Sequence, residues 1–183
     1  MRSVIADKYL KGLKGIEIGG GAHNAFNLDT INVDYTDDLT QSYKLMEKEH
    51  CGKIMAVDVV AEGDNLPFKD EEWDFVINSH VIEHFYDPIT TIKEWMRVIK
   101  KGGYLLMIVP HKMRTFDKKK ELTTLEEVKS RVGVVLEEDD HGHHTIWNTE
   151  RFMELMKYLE LEVVESQDKD DKVGNGFTIV VKK

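Results

Sequence analysis

Two groups of residues in this 183-residue chain have types and spacings suited to chemistry. The first is Lys14-Gly15-Ile16-Glu17-Ile18-Gly19-Gly20-Gly21-Ala22-His23-Asn24, followed by Ile31-Asn32-Val33-Asp34. A short apolar run carrying an acid opens into three glycines, and a second apolar run ends in another acid. Glycines let the backbone approach a ligand where a Cβ would collide. An acid at the tip of the next parallel strand can grip a ribose diol. Together they suggest a nucleoside-bearing cofactor laid across the carboxyl ends of a parallel sheet. A dinucleotide fingerprint wants a third glycine where Asn24 stands, and no Gly-Lys-Ser/Thr follows, so the chain has neither that fingerprint nor a P-loop.

The second group is histidine-rich. Six of the eight histidines fall in three places: His80 with His84, His111 alone, and His141 with His143 and His144. Two chemistries compete for them. In one, a neutral His111 or His144 takes a proton from an acceptor, with Asp140 to orient it; an unperturbed pKa near 6.5 suits that task. In the other, Asp139 and Asp140 join His141, His143 and His144 around a divalent metal. His-x-His-His with flanking acids has no diagnostic metal spacing, so proton transfer is the reading carried forward and no metal is assigned. Arg114 and Trp147 are candidates for positioning an acceptor, Arg114 by holding an acidic group or, equally, only as a surface ion pair.

The elements that must position these residues alternate as in a parallel α/β sheet. Strands are expected at Gly15–Ile18, Ile31–Val33, Ile54–Val57 or slightly later, Phe75–Asn78, Tyr104–Val109, Leu161–Glu165 and Phe177–Val181. Helices are expected at Leu39–Lys48, Ile89–Ile99 and Thr149–Leu159, the last capped by Asn148 or Thr149. In that last helix Phe152, Leu155, Met156 and Leu159 recur at helical spacing and belong to the core. Thr123–Arg131 reads as a short lid helix, and Lys169–Gly176 as a polar turn between closing strands. Only about a dozen residues separate Gly19 from Ile31, so any helix there must be short or irregular, since ordinary helices run about three turns.

Further motifs follow in order: Glu62-Gly63-Asp64-Asn65-Leu66-Pro67-Phe68, Trp73-Asp74-Phe75-Val76-Ile77-Asn78-Ser79-His80, Ile82-Glu83-His84 and Arg97-Val98-Ile99-Lys100-Lys101-Gly102-Gly103. This series resembles class I S-adenosylmethionine-dependent methyltransferases, in particular the type 11 methyltransferase domain, over about residues 14–111. The resemblance implies a single Rossmann-like domain over residues 1–183. It would have a mostly parallel seven-stranded sheet, an antiparallel C-terminal hairpin and a lid insert after the fifth strand. Residues 14–111 would bind the cofactor, 112–147 form the acceptor lid and 148–183 close the fold. It further implies that Glu17, Gly19, Gly20 and Gly21 face the methionine part of S-adenosyl-L-methionine and that Asp34 binds the ribose. Glu62 and Gly63 would face the adenine, with Asp58 the alternative acid, and Asn78, Ser79 and His80 would stand at the pocket mouth. His23 replaces the third glycine of the usual first motif, which makes His23 and Asn24 candidate replacements for a helix-dipole contact.

Composition narrows the acceptor. Net charge is −9, which argues against a nucleic-acid substrate because phosphate binding needs a basic face. No apolar run approaches a membrane span, and the single Cys51 fits a reducing cytoplasm. The expectation is therefore SN2 methyl transfer to a small molecule or a sugar moiety. The altered first motif keeps two other classes open: cofactor binding without transfer, and metal-assisted chemistry in the histidine-rich insert.

Overall fold

The computed structural model describes residues 2–134, 136 and 142–183. Among them a seven-stranded sheet forms from β1 (Lys14–Ile18), β2 (Asp29–Asp34), β3 (Val59–Val60), β4 (Trp73–Ser79), β5 (Ile99–Pro110), β6 (Glu162–Gln167) and β7 (Gly176–Lys182). The order is β3-β2-β1-β4-β5-β7-β6. Pairs β1/β2, β1/β4, β2/β3 and β4/β5 run parallel, whereas β7 is antiparallel to both β5 and β6. This is the expected mostly parallel sheet with an antiparallel hairpin. Strand order reverses between β1 and β4, and in open α/β sheets ligands bind at the carboxyl ends of strands at such a point.

Alternation along the central strands buries both faces. Val76, Leu105, Met107, Val109, Phe177, Ile179 and Val181 point into one core with helices α3 (Pro88–Val98) and α5 (Thr149–Tyr158). Phe75, Ile77, Leu106, Ile108 and Val180 point into the other, beneath α1 (Val4–Leu10) and Phe26. Phe152, Leu155 and Met156 are buried as their spacing requires, with Leu159 packed at the margin. Trp147 belongs to this core as well, 2 % exposed and edge-on to Phe152, so it is a packing residue and not an acceptor contact.

Capping fixes the helices that frame the site. Asp87 accepts the Thr90 amide and Pro88 opens α3, while Asn148 accepts the Arg151 amide at the start of α5. A reciprocal capping box between Thr124 and Glu127 opens helix α4 (Leu125–Ser130). Its Val128 is fully buried, and Thr123 and Ile146 exchange hydrogen bonds, the backbone one at 3.0 Å. Lys112 donates its amide to Trp147 O at 2.7 Å, which holds Trp147 beside the end of β5.

The third strand takes the later of its two expected placements, as the two-residue β3, because Asp58 turns its carboxylate onto the Asn32 amide (2.8 Å) and only Val59 and Val60 pair with β2. The N-terminal helix α1 was not expected; Ser3 caps it by accepting the Ala6 amide. After β1 there is no helix among the described residues, only turns before β2.

Candidate functional site

The glycine loop leaves β1 at the switch point. Gly19 has φ +63 and donates its amide to Val33 O at 2.8 Å, and a Cβ there would lie 2.8 Å from a Val81 methyl. Gly20 donates to the Asn32 side chain at 3.0 Å, and its Cβ would meet that oxygen and the Met55 sulfur. His23 folds its imidazole over Gly21, and Asn24 donates to the Ser79 hydroxyl at 3.1 Å. Glu17, Gly19, Gly20, Gly21, His23 and Ser79 therefore line one cavity with Asn24, of about 30 Å³. Gly63 lies outside it, close against Phe85, and its carbonyl accepts the Trp95 indole N–H at 2.7 Å. Glu62 follows β3 and is exposed.

Acids at the strand tips are buried. Asp34 is 6 % exposed and pairs at 2.8 Å with Lys44 from α2 (Ser42–Cys51), itself 1 % exposed. One turn on, Glu47 accepts the amides of Ala22 and, at 2.7 Å, Met55. Lys44 and Glu47 stand three apart, so both point from one face of α2 onto the site. Asn78 is fully buried and neither side-chain amide atom has a hydrogen-bond partner.

Glu17 is buried and its carboxyl is pushed up to about 7 by desolvation, against the Thr30 hydroxyl at 3.4 Å and the charge of Lys172. The folded protein thus holds this proton more tightly than the unfolded chain. That contribution to stability is complete below about pH 4.5 and is lost as pH rises through about 7. Its size is on the order of 3 kcal/mol. Thermal melts between pH 5 and 8 should therefore slope downward, and Glu17→Gln should flatten that slope; an equal slope in both proteins would contradict the assignment.

A second cluster forms just beyond β4. His80 adopts φ +58, unusual for a residue other than glycine, and its Nδ1 lies 3.9 Å from Glu83 Oε1. Its ring is absent from the glycine-loop cavity. Glu83, within the 3-10 turn Ile82–His84, is fully buried, and its two carboxylate oxygens have no side-chain hydrogen-bond partner among the described residues. Burial pushes its carboxyl up to about 8, helped by the nearby charge of Asp117. His143 places Nδ1 2.6 Å from Asp117 Oδ2. His144 donates its amide to Glu83 O at 2.9 Å and sets its ring edge-on to Tyr86.

Other expectations change. His111 accepts the Met113 amide at Nδ1 (3.1 Å), which leaves its proton on Nε2, 3.9 Å from Asp168. It caps a turn and offers no free basic nitrogen, so it is not placed as a general base. Arg114 ties the same turn to Asp168 and to Gly176 O, the surface-bridge alternative. Asp139, Asp140 and His141 lie outside the described residues. Sequence reasoning missed Lys44, Glu47 and Asp117; the first two carried a faint signal, as polar residues on the inward face of a helix.

Comparison with known proteins follows the same lines. Residues 17–107 match the family model of a methyltransferase domain, type 11. An uncharacterised protein of Methanocaldococcus jannaschii is 36 % identical over 97 residues, covering 51 % of this chain and 43 % of its own length. The rice chloroplast 2-methyl-6-phytyl-1,4-hydroquinone methyltransferase 2 is 32 % identical over 112 residues, covering 57 % and 31 %. The chain thus spans less than half the length of these curated relatives. A SAM-dependent methyltransferase structure from Thermotoga maritima superposes with TM-score 0.60 at 22 % identity, covering 97 % of this chain and 86 % of that one. Residues 17–107 thus carry a methyltransferase domain, on the fold of S-adenosylmethionine-dependent methyltransferases of known structure. Its family cofactor is S-adenosyl-L-methionine.

The residues fit that cofactor's chemistry: a glycine cradle, two buried acids and an unpartnered Asn78. The cavity does not yet hold it, since about 30 Å³ is roughly one water's share of liquid. Lys44 occupies the carboxylate of Asp34, and Val81 and Met55 stand close against Gly19 and Gly20.

Proposed function

We propose that the protein is an S-adenosylmethionine-dependent methyltransferase acting on a small-molecule or sugar acceptor. The observation that carries this reading is the glycine loop with Asp34 at the carboxyl ends of β1 and β2, beside the end of β4. When bound, the cofactor supplies a methyl group on a sulfonium leaving group, so the protein's work is alignment, exclusion of water and removal of a proton. Asp34 would hold the ribose hydroxyls in place of Lys44, and Glu17 would neutralise a cationic group at the glycine loop. Glu62 would face the adenine, since Asp58 is already engaged by the Asn32 amide. His144 is the candidate for the acceptor's proton. The −9 charge supports a small acceptor over RNA.

The experiment is transfer of isotope-labelled methyl from the cofactor into fractionated cell extract. Label in small-molecule or glycan fractions is expected; label that becomes soluble only after ribonuclease would overturn the acceptor class. With an acceptor in hand, His144→Ala should lower turnover about a hundredfold with cofactor affinity intact, whereas His111→Ala should change turnover little. The reverse ranking would return the base to His111.

A further inference from the structure

We propose that Glu83, His84 and His143 form a binding site for a divalent transition-metal ion of the zinc type, just beyond the carboxyl end of β4. Nε2 of His84 and Nε2 of His143 each lie 3.8 Å from Glu83 Oε1, and the three ligand atoms fall within 4.8 Å of one another. Glu83 supplies a fully buried carboxylate whose oxygens have no side-chain hydrogen-bond partner among the described residues. His143 turns Nδ1 to Asp117 Oδ2 at 2.6 Å, and His84 turns Nδ1 to Gly142 O at 3.0 Å. An acceptor at Nδ1 holds the ring proton there and makes Nε2 the lone-pair atom. With Glu83 ionised, its carboxylate and His143 Nε2 face each other as two acceptors, which a cation reconciles.

Geometry and chemistry agree on the kind of ion. Metal–nitrogen bonds of about 2.0–2.1 Å and metal–oxygen bonds of about 2.0–2.2 Å put neighbouring ligands roughly 3.4–3.6 Å apart, so the cluster need contract only modestly. Asp117 and Gly142 act as the outer partners that orient ligating histidines. Two imidazoles with one carboxylate suit zinc and its neighbours better than magnesium or calcium, and leave a coordination position open. His80, 3.9 Å from the same Glu83 oxygen, is the nearest further donor. The site differs from one built on the Asp139–His144 run alone, because its carboxylate comes from the loop after β4. It does not depend on methyl transfer.

The test uses the full chain, stripped with chelator, dialysed, and titrated with zinc by calorimetry and with cobalt(II) by visible absorption. One ion per chain is expected, with ligand-field bands for cobalt and a raised melting temperature with zinc. Glu83→Gln and His84→Ala should each weaken zinc binding at least tenfold and erase the cobalt bands. Asp117→Asn should weaken it about ten- to a hundredfold, and His50→Ala on α2 should not change it. His84 is 41 % exposed at its side chain, so its variant keeps the test valid if Glu83→Gln does not fold. Folded wild-type protein that takes up no zinc in excess would overturn the proposal, and Glu83 would be a buried neutral carboxyl. Unchanged affinity and spectra in both variants would overturn it equally, by placing the ion elsewhere.

Discussion

Gly19→Val is expected to abolish cofactor binding and to destabilise the protein by about 2–5 kcal/mol. Two costs add. A β-branched residue at φ +63 is held in the left-handed region, at roughly 1–2 kcal/mol. Its Cβ would also lie 2.8 Å from Val81 Cγ2, and overpacking costs typically 1–3 kcal/mol. Gly52→Ala separates the two. Gly52 has φ +73 at the end of α2 with nothing within 4 Å of a Cβ, so it should show backbone strain alone and retain cofactor affinity. Denaturant melts and calorimetric titration of both variants check this. A stable Gly19→Val protein that still binds the cofactor would remove the glycine loop from the site.

The second large effect concerns Lys44. Removing one partner of a buried ion pair leaves the other charge uncompensated, at about 3–5 kcal/mol. Lys44→Met should therefore lower the melting temperature by roughly 6–20 °C at about 2–4 °C per kcal/mol. S-adenosylmethionine should recover more of that loss than it adds to the wild type, because Asp34 then has no competing cation. Wild-type stability in Lys44→Met would show that the pair contributes nothing. A cofactor-induced shift no larger than the wild type's would show that Lys44 does not guard the ribose acid.

Much of this was legible in the residues, and the exceptions have physical causes. Continuous apolar runs such as Phe75–Ile77 and Leu105–Val109 located the central strands, and capping residues such as Asn148 marked α5. The third strand was legible only to within a few residues, because Ile54 and Met55 also look like strand residues, whereas Met55 is spent over Gly20. Helix α1 is only seven residues long, too short for periodicity to announce. Glu17, the glycines and Asp34 could be found because they sit on adjacent strands with local motifs. The cluster of Glu83, Asp117 and His143 could not, because its members lie 26 to 60 residues apart in sequence and meet only through the folding of the insert. His111 was misread for a related reason. It does follow β5, but its ring caps the next turn.

The central claim, that the glycine loop and Asp34 bind S-adenosylmethionine, is tested most directly by titrating that cofactor into the full chain by calorimetry. The account predicts one site per chain and an affinity at least about tenfold weaker in Asp34→Asn, since hydrogen bonds to a charged group contribute roughly 1.5–3 kcal/mol. No binding by folded wild-type protein, or equal affinity in Asp34→Asn, would contradict it.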